Sequence, residues 1–369
     1  MNHTKRFRPI RLLALLALLS LLFCVGCDGQ NTTSECTCNC NCNSTTGTDV
    51  TGTDGTETTP DSEADTDDSE ETATPTKINL YNETAVLDNA DYRILLTSDT
   101  HHTYLQTYYG ISSEERMQAW VDAIKAEHAL RPFDLIVIVG DVSLDHWKWQ
   151  GGGSYLKDGI STTKSFMDDY VSQLPEDVPV FVLAGNHEQY GNEKWKELVG
   201  NDRQGSFVLG DNLFLFLDSF ADELDPTYHH DGVSTAPDVE FIQSEMAKYP
   251  EHNVYLISHY FDTSLATEEF RAIVKDPRVI GLFQGHTHQS SIKNLGAAYG
   301  YKSVAQTGNF SQYSSATTLD DLLKHFWGFR DLVIVGEQAV SRYIRAESDA
   351  YFNDTPFHAE REILYVIPY

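Results

Sequence analysis

The sequence predicts an α/β layered fold, on three observations. Short, continuous apolar runs recur between residues 93 and 288, helix-like segments lie between them, and each of the five runs ends in a loop carrying Asp, Asn or His. Unbroken apolar runs suit strands buried on both faces, and their alternation with helices implies a layered α/β domain. In such a domain ligands gather beyond the carboxyl ends of the strands, where these loops fall.

In chain order, Arg93-Ile-Leu-Leu-Thr97 leads into Ser98-Asp99-Thr100-His101-His102, and Leu135-Ile-Val-Ile-Val139 into Gly140-Asp141. Val178-Pro-Val-Phe-Val-Leu183 leads into Gly185-Asn186-His187-Glu188. Asn253-Val-Tyr-Leu-Ile257 reaches Ser258-His259, and Val279-Ile-Gly-Leu-Phe283 reaches Gly285-His286-Thr287-His288. Ser113–Ala129, Thr163–Gln173 and Pro237–Lys248 are helix-like, and Asp238 stands in the first turn of the last, where the helix dipole favours an acid. Leu213–Leu217 and Leu332–Val335 read as further strands without ligand-type residues at their ends.

Three regions precede or make up the domain. Residues 1–27 read as an export signal: Lys5, Arg6, Arg8 and Arg11 form a basic head, and Leu12–Phe23 is too short an apolar run to span a bilayer. Its end, Val25-Gly26-Cys27, resembles a bacterial lipoprotein box, which implies lipidation of Cys27 and attachment to the outside of the cell membrane. Cys24 stands where that box prefers Leu. Residues 28–77 hold 12 acidic residues against one basic and almost nothing apolar after Asn43, which predicts a disordered, extended stalk. All six cysteines lie at or before Cys42, and Cys36, Cys38, Cys40 and Cys42 alternate, which favours disulfides outside the cytoplasm over a zinc site. Residues 78–369 then suffice for one large domain. A formal charge of −29 argues against non-specific binding to nucleic acid or an anionic membrane surface, while a small phosphate ester remains compatible if cations reverse the local field.

Carboxylate, imidazole and amide donors at the loop ends (Asp99, His101, Asp141, Asn186, His259, His286 and His288) suit a pair of borderline divalent cations. Two such ions about 4 Å apart can bind both water and a phosphoryl group. In order, Asp-x-His, Gly-Asp, Gly-Asn-His-Glu, a lone His and Gly-His-x-His resemble the motifs of the calcineurin-like phosphoesterases. The resemblance implies two stacked mixed β-sheets flanked by helices, a four-layer α/β/β/α fold. It implies that Asp99, His101 and His288 hold one metal, that Asn186, His259 and His286 hold a second, and that Asp141 bridges them. Mn, Fe or Zn fits such donors. A hydroxide between the metals would be the nucleophile, and His187, bound to neither, the general acid.

The chain departs from relatives at Leu144, where an acid often orients the catalytic histidine; here the acid is Asp145, expected to reach His187 if the loop bulges, with another group doing that job otherwise. Leu144 also replaces the iron-binding tyrosine of purple acid phosphatases, and Ala184 breaks the Arg-Gly-Asn-His-Glu signature of Ser/Thr protein phosphatases. Trp147 and Trp149, with His102, are candidates to line a substrate pocket. Glu188 is expected to act as a helix-start acid, and His146, His229, His230 and His252 to be solvated loop residues. The function expected is an exported phosphomonoesterase or phosphodiesterase; the alternative is a surface protein that binds metal or phosphate esters without turnover.

Overall fold

The computed structural model describes residues 78–345 and 365–367, except 79, 81, 106, 109–110, 148–155, 158–159, 223–230 and 312–326. The expectations for the export signal, Cys27, the cysteine cluster, the stalk, Trp149, His229 and His230 lie outside the described residues.

The first half of the domain runs α1 (Glu83–Asp88), β1 (Tyr92–Thr97), α2 (Ser113–Leu130), β2 (Leu135–Val139), the short ribbon β3 (Leu156–Lys157) and β4 (Ile160–Ser161), α3 (Thr162–Asp169), β5 (Val180–Leu183) and α4 (Asn192–Val199). The second runs β6 (Gly205–Leu209), β7 (Asn212–Leu217), α5 (Val239–Lys248), β8 (Asn253–Ser258), α6 (Glu268–Lys275), β9 (Val279–Gln284), β10 (Ile292–Asn294) and β11 (Ser303–Gln306). β12 (Gly328–Val335), β13 (Gln338–Arg345) and β14 (Tyr365–Ile367) complete it. Local sequence sets the helix starts: Ser112 and Glu115 form a reciprocal capping box at α2, and the Asp238 side chain caps α5.

Two six-stranded mixed sheets result, in the orders β14-β13-β12-β1-β2-β5 and β10-β11-β9-β8-β7-β6. Within them β1, β2 and β5 are parallel, as are β7, β8, β9 and β11. The apolar runs are buried on both faces because successive side chains alternate. Ile94, Leu96, Leu135, Val137 and Val139 enter a core shared with Phe214, Phe216, Tyr255 and Ile257 of the other sheet. Leu95, Ile136 and Ile138 face the opposite way, onto Trp120, Val121 and Ile124 of α2 and Phe166 of α3. Leu213, Leu215, Leu217, Val254 and Leu256 likewise meet α5 and α6 through Ile242, Met246, Phe270 and Val274. The architecture is therefore the four-layer α/β/β/α stack. No helix among the described residues is long and apolar enough to cross a membrane.

Strand direction decides which ends meet. The parallel strands β1, β2, β5, β8 and β9 all deliver their carboxyl ends to one edge of the stack. β12 pairs antiparallel with β1, Tyr92 opposite Ile334, so its end points away from that edge. β7 runs parallel to β8, so Asp218, the residue after it, reaches the shared edge. The expectation that β7 ends without a ligand-type residue is corrected there.

Candidate metal centre

Five of the six non-glycine residues with positive φ among those described are Asp99 (53°), His101 (42°), Asp141 (51°), His286 (66°) and His288 (55°). Left-handed backbone costs an L-residue about 1–2 kcal/mol, so strain collects at the strand ends. It is held by backbone bonds between loops: Asp99 N–H donates to Gly140 O (3.1 Å) and His101 N–H to Asp141 O (3.0 Å). Two motif glycines permit the close approach. A Cβ on Gly140 would strike the His259 ring, and one on Gly185 would strike Asp141 Oδ1.

Three overlapping groups of potential ligands result: two trios, Asp99–His101–His288 and Asp141–His259–His286, and His101–Asp141–His187 across them. Asp141 Oδ2 stands between the two trios, 3.3 Å from His101 Nε2 and 3.3 Å from His259 Nε2. Asp99 Oδ1 lies 3.3 Å from His288 Nε2 and 3.8 Å from His101 Nε2. Asn186 Oδ1 joins the second trio, 2.8 Å from His286 Nδ1 and 3.2 Å from His259 Nε2. Surrounding groups orient the donors. The His259 Nδ1 side is taken by Val139 O at 2.6 Å, which turns Nε2 inward, and Ser98 Oγ donates to Asp99 Oδ2 (2.5 Å) while contacting Thr307 Oγ1 (2.7 Å).

The electrostatics of the cluster are those of buried anions facing imidazoles. Burial raises the Asp99 and Asp141 carboxyls, but the neighbouring His288 at Asp99, and His259 and His187 at Asp141, outweigh it and hold both below the ordinary carboxylate range. Burial lowers His101 and His259, and the two carboxylates overcome it, bringing each ring up to about 9. Asp99 Oδ1 and His101 Nε2 are buried without a hydrogen-bond partner. Buried lone pairs left unpaired, beside oxygen and nitrogen donors in one cluster, fit a divalent cation.

His187 sits at the rim. Its Nε2 is 3.8 Å from Asp141 Oδ2, its N–H donates to Asp141 Oδ1 (3.1 Å), and its ring edge meets those of His101 and half-buried Trp147. Burial pushes the ring down to about 3. Asp145 does not orient it, contrary to expectation. Asp145 Oδ1 accepts from Thr162 N–H and Oγ1, and Oδ2 from Thr163 N–H and Oγ1 and from Tyr190 Oη (2.6 Å). Those donors saturate the carboxylate, and His187 Nδ1 is left buried without a partner. Two other expectations are corrected. His102 is fully buried between Ser113 Oγ (2.7 Å) and Ser165 Oγ (2.9 Å), in the layer below the site rather than in a pocket. His146 is buried too, edge-on against Tyr190.

Three residues have roles that sequence reasoning missed. The Glu188 carboxylate accepts from the backbone N–H groups of Asp141, Ser143 and Gly185 at 2.8–2.9 Å, tying the β2 and β5 loops together. Burial pushes it up to about 7 against those donors, which favour its ionised form. Arg203 and Asp218 form a second tie, described below. The signal for Glu188 lay within the motif itself; for Arg203 no local signal existed.

Residues 92–290 match the calcineurin-like phosphoesterase family. The chain belongs to that family. Its members depend on a dinuclear metal site, so at family level this phosphoesterase is a metal-dependent enzyme of small phosphate esters, and the two trios are its candidate ligand clusters. The phosphoesterase shares its fold with a dimetal phosphatase from Danio rerio, at 12% identity and a TM-score of 0.50 over 70% of this chain and 98% of that one. A Staphylococcus aureus protein assigned as a 5′-nucleotidase is similar at 13% identity and 0.40, over 75% and 54% of the respective chains. GAP50 of Plasmodium, the anchor in the inner membrane complex, is similar at 12% and 0.45, over 74% and 87%. No curated protein matches the chain in sequence.

Proposed function

We propose that this phosphoesterase is a two-metal hydrolase of small phosphate esters, exported and held at the membrane by a lipid on Cys27. The observation that carries the catalytic part is the place of Asp141 Oδ2, 3.3 Å from a ring nitrogen of each trio. On this reading Asp99, His101 and His288 would hold one ion and Asn186, His259 and His286 the other, with Asp141 available to either. When bound, the ions supply Lewis acidity toward the phosphoryl oxygens and lower the pKa of water.

The chain's own residues do the rest. Asp99 and Asp141 neutralise the cations, and the strained strand ends keep their oxygens aimed inward. With substrate bound, His187 acts as the imidazolium: Nε2, the nitrogen facing the cluster, passes its proton to the leaving oxygen and the ring returns to neutral imidazole. Burial keeps that ring neutral in the free protein, and an incoming phosphate dianion beside it raises its affinity for the proton. The half-buried Trp147 ring borders the side on which the leaving group departs. The basic head, the apolar run and the ending Val25-Gly26-Cys27 support the membrane attachment.

The test is hydrolysis of p-nitrophenyl phosphate and bis-p-nitrophenyl phosphate by metal-stripped protein, before and after Mn²⁺, with Asp141→Asn and His187→Ala alongside. Mn²⁺ should restore turnover, Asp141→Asn should abolish it, and His187→Ala should lower it, the more so the poorer the leaving group. Folded, metal-loaded protein that turns over neither ester is instead a binding protein. The anchor is tested separately: Cys27→Ser should move the protein from the membrane fraction to the soluble one, and continued sedimentation with membranes would refute lipidation there.

A further inference from the structure

Among the described residues His187 Nδ1 has no hydrogen-bond partner, and beyond the cluster and Trp147 no side chain touches the ring in a way that aims it, so its backbone carries much of its placement. One side chain dominates that backbone from outside the motif. Arg203, buried on the loop between α4 and β6, uses every guanidinium nitrogen. Nη1 donates to the carbonyls of Glu188 (2.7 Å) and Tyr190 (2.9 Å), directly after His187. Nε and Nη2 pair with the Asp218 carboxylate at 2.6 and 3.0 Å, and Nη2 also donates to Phe220 O (3.1 Å). The arginine's own N–H is fixed by Asn192 Oδ1 (2.8 Å).

The two ends of this clamp belong to different sheets. Glu188 and Tyr190 follow β5, the edge strand of the first sheet; Asp218 and Phe220 follow β7 of the second. The Phe220 ring lies against His259 and His286, with centroids 5.7 and 5.8 Å away. The guanidinium therefore joins the loop that carries His187 to the wall behind the second ligand trio. A planar fork with five donors can hold three carbonyls and a carboxylate at once; an ammonium cannot.

We propose that Arg203, braced by Asp218, is a positioning residue for His187: it holds the 187–190 backbone so that the imidazole stays at the leaving-group side of the cluster. The proposal rests on the reading of His187 as general acid. Loosening the clamp should then cost most where the leaving group most needs a proton.

The test compares Arg203→Met and Arg203→Lys with wild type and His187→Ala in the full chain, reconstituted with Mn²⁺ and matched for metal content. p-Nitrophenyl phosphate leaves with little help, whereas phenyl phosphate releases a phenol of pKa about 10. Arg203→Met should lower kcat on phenyl phosphate by about 10²-fold and on p-nitrophenyl phosphate by less than about fivefold, with KM little changed. Arg203→Lys, which keeps the charge opposite Asp218 and so guards against misfolding, should fall between. Amide exchange of the chelated proteins gives a readout without turnover. Protection over residues 187–191 should drop at least roughly tenfold in both variants, with β2 and β8 unchanged. An equal fall on the two esters, or unchanged protection over 187–191, overturns the clamp. If His187→Ala itself shows no leaving-group dependence, the general-acid reading fails and takes the clamp with it. If His187→Ala shows that dependence and the Arg203 variants do not, only the clamp fails.

Discussion

Asp99, His101 and His288 bring their own carboxylate to the cluster, whereas Asn186, His259 and His286 bring only neutral donors and share Asp141. The first trio carries a buried oxygen, Asp99 Oδ1, and a ring nitrogen, His101 Nε2, without hydrogen-bond partners. In the second, the Asn186 amide oxygen lies within hydrogen-bonding distance of both histidines. The first trio has a carboxylate of its own with an unpartnered oxygen, and the second has in its place an amide oxygen already within reach of two rings. Charge, more than donor count, should therefore rank the two positions, with the Asp99 side filling first.

The largest effect that would break this ranking is on metal content. Asp99→Asn should leave the protein almost free of metal, because it removes the anion that attracts the first ion. Asn186→Ala should retain about one ion per chain, read by elemental analysis after desalting. Equal losses in the two variants would mean that the trios are equivalent, and the charge argument would fall.

A second, intermediate effect is on stability. His101 and His259 are raised from 6.5 to about 9 by the carboxylates, after burial has pulled the other way. A group with a raised folded pKa contributes stability that is complete below its unfolded value and is lost as pH rises through the folded one. The melting temperature of chelated protein should thus fall between about pH 6.5 and about 9, and saturating Mn²⁺ should remove that fall, since metal binding replaces the ring protons. A flat profile for the chelated protein would show that the rings are not charged. The smallest effect concerns Ser98, whose hydroxyl donates to Asp99 Oδ2 of the first trio. Ser98→Ala should weaken the first ion by about tenfold and leave the second unchanged, as isothermal titration can resolve.

Much of the fold was legible because buried strands impose a strong constraint. Runs such as Leu135–Val139 and Asn253–Ile257 must be apolar on both faces to sit between a helix layer and another sheet. The ligand candidates were legible for a related reason: each sits immediately after its strand, so strand position fixes where it lies. Legibility failed where a side chain chooses among neighbours from distant segments. Asp145, one place after the position where an acid often orients the histidine, was expected to reach His187, yet two threonines at the start of α3 and Tyr190 take its oxygens. His102 and His146 both departed from their expected roles in the same way, one sinking between two serines and the other packing on Tyr190. Asp218 stood in plain view after an apolar run, but its use depended on β7 being parallel to β8 and β12 antiparallel to β1.

By itself, then, the sequence determined the elements, the layered class and the candidate ligands, because these follow from local periodicity and from residues adjoining strand ends. Only the tertiary structure decided what holds them in place. Glu188 reaches across to the β2 loop, Ser98 to Thr307, and Arg203 to Asp218 and to the carbonyls after His187. Such hydrogen bonds depend on which loops the two sheets bring together at their common edge, and no spacing along the chain encodes that.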